Sequence, residues 1–181
     1  MSSPELRKRY VVAFPKVADA EAWQEILSVR ERFDPLARDV PPHLTLIFPF
    51  EDALSDTALE EHLRSVLRGF HPFRVTFRDI TAHENEYLFL NVKRGNDAIV
   101  ALHDALYTGP LARHLVRLHT YVPHVTVGRL AADQLAAAVD ATSAITRSQE
   151  AMVDTISVRA VDSDGKRTAV FDLPLCDPPS P

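Results

Sequence analysis

Cysteine is nearly absent from this chain. Cys176 is the single one in 181 residues, so neither an intrachain disulfide nor a cysteine-built zinc cluster is available. Glycine is scarce as well, with five, and no glycine-rich phosphate loop, no G-x-S-x-G elbow and no thiol nucleophile with a partner occurs. No apolar run approaches the length of a membrane span. The opening MSSPELRKRYVVAF carries basic residues without the apolar core and small-residue end of a signal peptide. A surplus of positive charge is missing too: 20 Lys and Arg face 25 Asp and Glu, a net charge of -5, which argues against long tracking along a nucleic-acid backbone. A short phosphate-bearing end or a small nucleotide needs only a local positive pocket. Together these absences predict a soluble protein of the reducing cytoplasm, and a hydrophobic fraction of 46% is enough to fill a packed core.

What the chain does have is a repeated phrase. PPHLTLIF spans residues 41–48 and VPHVTVGR spans 122–129, so the pentad Pro-His-aliphatic-Thr-aliphatic recurs 81 positions on. A shuffled chain of this composition would hold on the order of a few thousandths of one such pentad. Around the two copies the elements repeat in order. RYVVAF (9–14) reads as a strand, a helix capped by Asp19 follows, and HLTLIF is the next strand. SDTALEEHLRSVLRGF carries a helix with caps at Ser55 to Thr57, a Thr57-x-x-Glu60 box and a stop at Gly69. FRVTFRDI (73–80) closes the first half as a strand. The second half runs YLFLNV (87–92) as a strand, a helix over 96–106 capped by Asn96, and a helical turn opened by Pro110. HVTVGRL and the helix AADQLAAAVDA come next, and MVDTISVRAV forms a terminal hairpin with RTAVFDL around Asp164 and Gly165. The expectation is an α+β fold of two pseudo-symmetric lobes, each an antiparallel-rich sheet with helices outside, around a central cleft. Residues 1–181 form a single bilobal domain with approximate lobes 1–84 and 85–175, strands free to exchange between them, and a Pro-rich tail from 176 to 181.

Side chains alternate along a strand, so His43 and Thr45 share one face, and so do His124 and Thr126, while Leu44, Leu46, Val125 and Val127 turn to the core. Two such strands facing each other across a twofold axis bring two imidazoles and two hydroxyls into one cleft. Displacement at phosphorus needs one proton removed from the attacking oxygen and one given to the leaving oxygen, and two histidines titrating near neutrality do both. Hydroxyls donate to the non-bridging oxygens as charge builds there. No metal is needed for this chemistry.

The paired motifs resemble those of the 2H phosphoesterases, the superfamily that includes the 2'-5' RNA ligases, better described as RNA 2',3'-cyclic phosphodiesterases. The resemblance covers the chain to about Leu175. It implies that His43 and His124 are the acid/base pair and that Thr45 and Thr126 hold the phosphate. The implied substrate is an RNA end or small nucleotide bearing a 2',3'-cyclic phosphate, taken by a monomer without cofactor, metal or membrane. HLTL continues as IFPFE rather than the Arg-Phe-Leu-Gly-like run of the ligase-like members, which is similar to a divergent bacterial subgroup. A non-catalytic nucleotide or RNA-end binding module of the same fold is the alternative, and a purely structural interaction protein is a third. Phe48 and Tyr121 flank the pentads and are candidates to stack on a base, with core packing the competing role for Phe48. Arg38 and Arg129 are candidates to pair with phosphate; Arg129 has the opposite parity to His124 and reaches a cleft only if its strand bends after Gly128. His62 and His103 on helices and His71 before a proline read as solvent-facing or capping. His114, His119 and His124, five apart, do not form a metal face.

Overall fold

A computed structural model describes residues 6–118 and 120–176. His119 and the tail beyond Cys176 lie outside the described residues. In chain order the elements are β1 Arg7–Ala13, β2 Lys16–Val17, α1 Ala20–Phe33, β3 Leu44–Asp52, α2 Asp56–Leu67, β4 Phe73–His83, β5 Tyr87–Arg94 and α3 Asn96–Leu106. A 3-10 turn Gly109–His114 follows, then β6 His124–Arg129, α4 Ala132–Thr142, β7 Gln149–Val153, β8 Thr155–Val161 and β9 Arg167–Pro174. No helix among the described residues is long and apolar enough to cross a membrane.

All nine strands join one curled antiparallel sheet, a half-barrel, in the order β2-β7-β4-β5-β6-β3-β1-β8-β9. The two pentad strands pair at its centre. Within the first half β1 pairs with β3, and within the second β5 pairs with β6. The next strand of each half then crosses over: β4 lies outside β5, and β8 lies outside β1. The helices exchange in the same way, α1 packing on β6 and α3 on β3. Leu44, Leu46, Val125 and Val127 meet Trp23, Ile26, Ile99 and Leu102 in one buried core on the helix side. This leaves the other face of the central strands for the cleft.

Two expectations change here. The sequence predicts one strand over MVDTISVRAV, but the segment divides at Asp154 into β7, which pairs with β4, and β8, which pairs with β1. The chain turns from β1 into β2 at Phe14 and Pro15, so a single ladder of β1 with β8 and β2 with β7 bends sharply and shapes the curl. Lys16 and Asp154 form an ion pair of 2.6 Å at this bend. The caps also shift. Asp19 accepts from the Ala22 N–H at 2.9 Å as its position predicts, and Ser55 caps α2 by accepting from the Ala58 N–H. Thr57 is already inside that helix, and Glu60 binds Arg64 one turn on instead of closing a box. Asn96 is likewise inside α3; Gly95 occupies the cap at φ 91°.

Gly95 is required twice over, by its left-handed backbone and by a close approach, since a Cβ there would lie 2.7 Å from the Arg74 carbonyl oxygen. The Gly95→Ala variant is expected to lose roughly 1–3 kcal/mol of unfolding free energy, read from the denaturant midpoint at unchanged slope. An unaltered midpoint contradicts it.

Candidate active site

The central pairing builds the site. Leu44 is registered against Val125 in an antiparallel ladder, which sets His43 across from Thr126 and Thr45 across from His124. By ladder geometry the two histidines are diagonal neighbours about 7–8 Å apart at the backbone. They are near enough for His43 to contribute to the lowered pKa of His124.

Each ring is held by the residue before its proline. The His43 Nδ1–H donates to the Pro41 carbonyl at 2.8 Å, and the His124 Nδ1–H donates to the Val122 carbonyl at 2.7 Å. A carbonyl oxygen only accepts, so Nδ1 carries the proton in both rings and Nε2 of the neutral form is bare. The prolines explain why: a residue before proline is confined to extended backbone, which fixes the direction of that carbonyl. The pentad therefore writes an imidazole, its tautomer and its orientation into one short strand entry.

Burial lowers the pKa of both rings. For His43 the loss of solvation outweighs the Pro41 bond, and the positive charges of Arg30 and Arg167 add to it against Asp34. For His124 burial comes first again, opposed by the Val122 bond and reinforced by His83 and His43, and the value falls to about 4. At pH 7 both rings are neutral.

A cavity of about 870 Å³ opens on the His124 side, lined by Thr45, Thr126, His124, Phe48 and Tyr121 among others. Five of the expected residues thus meet in it; His43 stands outside its lining, across the β3–β6 pair. Phe48 is 38% exposed and is not packed into the core. Tyr121 donates its hydroxyl to the Thr45 carbonyl at 2.8 Å, and its ring lies flat on His103 at 3.8 Å. His103 is 4% exposed, which corrects the solvent-facing expectation, because α3 turns that ring inward beneath Tyr121. Sequence reasoning missed the opposite wall. Phe89 stacks on His124 with centroids 3.5 Å apart, and His83 stacks on the far side of Phe89 at 4.7 Å. Its alternation in YLFLNV separates Phe89 from the core residues Leu88 and Leu90, but only the β5–β6 register, Phe89 against Thr126, shows where it points.

The two arginines go elsewhere. Arg38 lines a small depression with Leu27, Asp39 and Pro42 rather than the cavity. A bulge at Val127, before Gly128 rather than after it, brings Arg129 opposite Tyr87, yet Glu86 holds its guanidinium at 2.5 Å and it lines a different depression. Among the described residues Arg117 is the arginine or lysine of the cavity lining, which also includes Glu84 and Asp104. His114 binds the buried Asp52 at 2.7 Å and ties the 3-10 turn to the end of β3. His71 binds the Cys176 carbonyl through Nδ1 at 2.8 Å.

A sequence model of the 2'-5' RNA ligase superfamily matches residues 15–165. A Bacillus pumilus protein bearing the provisional name of phosphoesterase is 34% identical over 129 residues, which is 68% of this chain and 70% of that one. A similarly named Bacillus licheniformis protein is 30% identical, over 68% of this chain and 71% of its own. Among solved structures, E. coli LigT complexed with 3'-AMP superimposes with a TM-score of 0.64 at 19% identity, over 96% of this chain and all of that one. E. coli LigT complexed with NADP+ gives 0.59 at 21% identity, over 94% and 99%. At these identities the two structures establish the α+β fold.

The electrostatics give a direct expectation. In the free protein the His124 ring should titrate near pH 4, well below an ordinary histidine, and an anion placed between the rings should raise it, because negative charge favours the imidazolium. Imidazole-ring NMR, with and without adenosine 3'-monophosphate, reads both; an unperturbed free value near 6.5 contradicts the burial described here.

Proposed function

Because this chain belongs to the 2'-5' RNA ligase superfamily, we propose that it hydrolyses a 2',3'-cyclic phosphate, at an RNA end or on a small nucleotide, by two-histidine general acid/base catalysis. The observation that carries this reading is the matched pair of rings, each with Nδ1–H tied to a carbonyl and Nε2 left for chemistry. One bare Nε2 takes a proton from water as its oxygen forms a bond to phosphorus. The other ring, protonated at Nε2, gives its proton to the ribose oxygen as that P–O bond breaks, so a ring-opened phosphomonoester leaves and the rings have exchanged protonation states. Thr45 and Thr126, each across from the other motif's histidine, are suited to donate hydroxyl bonds to the non-bridging oxygens. Phe48 and Tyr121 in the cavity wall offer aromatic surface to a base. That the related fold of LigT takes 3'-AMP and NADP+ supports a nucleotide-sized ligand.

One observation favours the binding-module reading: both rings are neutral at rest, so the acid is missing until something supplies a charge. The substrate's own anion can do so. Saturable binding of a cyclic nucleotide with no phosphomonoester formed would favour the module.

Three outcomes test catalysis. His43→Ala and His124→Ala should each cut kcat for a nucleoside 2',3'-cyclic phosphate by roughly 10²–10⁴-fold at little change in KM; full turnover in either rejects the mechanism. The active form carries one proton over two rings whose free pKa values are both depressed. The kcat/KM profile should therefore peak on the acid side of pH 6.5, falling as pH rises through the higher of the two values and again as it drops through the lower. Bound anion raises both values, so the kcat optimum should lie at higher pH; coincident optima would contradict this. Phe48→Ala should raise KM by roughly 5–100-fold, the loss expected for one base–aromatic stack.

A further inference from the structure

Polar groups on the His43 side of the cleft face remain without a role in the two-imidazole reading. Thr45 lies opposite Val12, and Val12 opposite Ser157, so Ser157 points to the same face as Thr45 two strands away. Arg159, two residues on, shares that face with its opposite number Tyr10. Ser157 is 2% exposed and Tyr10 is 5% exposed. Even so, the Ser157 hydroxyl, the Tyr10 hydroxyl and Arg159 Nε are buried without a hydrogen-bond partner. A buried donor left unpaired is destabilising, because it has given up water without gaining a partner. Three at adjoining positions on one face call for a polar group that joins them. Arg9 Nε is also unpartnered, but it lies on the opposite face, where Arg9 binds Asp56 and the Leu54 carbonyl.

Arg159 extends toward the pentads. Its guanidinium carbon lies 5.8 Å from the centre of the Phe14 ring, and Phe14 meets His43 edge-on at 6.1 Å. Arg167, on the adjoining strand, adds a second positive charge that acts on His43; its hydrogen bond to the Gly165 carbonyl is long, at 3.5 Å. Asp172, across from Ser157, is exposed and makes no ion pair with either arginine among the described residues. The cleft face is thus unlike at its two ends, aromatic beside His124 and cationic beside His43.

Resting on the two-histidine reading above, we propose that Arg159, with Ser157 and Tyr10, binds a second phosphate group of the substrate on the His43 side. The substrate then lies in one direction, its base against the aromatic cavity and its additional phosphate beyond Phe14. A ribose-linked phosphate fits: the 5'-phosphate of a mononucleotide, or the neighbouring diester of an RNA end. Arg159 is a binding residue in this scheme, and its fork of donors is matched to phosphate oxygens.

Calorimetric titration tests it without relying on turnover, using adenosine 3'-phosphate, adenosine 3',5'-bisphosphate and the 3'-phosphorylated adenylyl dinucleotide. The unaltered protein should bind at least one of the two probes that carry two phosphate groups tenfold or more tighter than the monophosphate, and whichever gains names the source. Arg159→Met should abolish that advantage and Arg159→Lys should keep part of it. Equal affinities in the unaltered protein overturn the proposal and leave ordered water as the partner of the three polar atoms. An advantage undiminished in Arg159→Met overturns the assignment to Arg159. Should that variant fail to fold, the Nε–H resonance of Arg159 in the unaltered chain decides: it moves with the favoured probe, or the site is rejected. Absence of turnover on every cyclic phosphate would sink the catalytic reading alone, because the affinity difference is measured on ligands that do not react.

Discussion

One backbone pairing governs this molecule: Leu44 against Val125, antiparallel, at the centre of the sheet. Period-two alternation makes that single register decisive, because a slip of either strand by one residue would turn its histidine and threonine into the helix-side core and bring its two aliphatic side chains into the cleft. The register is secured from behind. Leu44, Leu46, Val125 and Val127 are all under 2% exposed and packed against α1 and α3, and burying four such side chains is worth about 1.5–3 kcal/mol each. The chemistry on one face is thus aligned by apolar packing on the other.

Much of this was legible in the residues. The duplicated pentad located the pair of imidazoles, and alternation told which neighbours turn inward. The element order from α1 to α4 was right because Asp19, Ser55 and Pro110 act locally, through a cap or a fixed φ. What escaped was long-range. Nothing near Asp154 says that MVDTISVRAV leaves one flank of the sheet and joins the other, since both pieces keep the composition of strands. Phe89, His83 and His103 were invisible as cleft residues for the same reason: each takes its place from the strand or helix it meets, not from its neighbours in the chain. Arg38 and Arg129 lay close to the motifs in sequence, yet Arg129 is claimed by Glu86 and Arg38 by a separate depression.

The prolines of the pentads carry more of the explanation than their place at a strand entry suggested. By confining the residue before them, they aim a carbonyl at Nδ1 and so decide which nitrogen of each ring is free. Burial then lowers the basicity of that nitrogen, and negative charge placed beside it would raise it again. Tautomer, orientation and basicity are each set by a different and separable part of the local structure.

The crossing of β4 and β8 into each other's flanks has a kinetic meaning. Neither half of the polypeptide closes a sheet from its own strands, and the partners at the centre are separated by most of the chain's middle, so ring-closure entropy must be met before any of these contacts reward it. Such long-range pairing is expected to be slow to form, and a chain still emerging from synthesis holds one motif without the other. Whatever this cleft does, it needs strands from both halves of the chain in place.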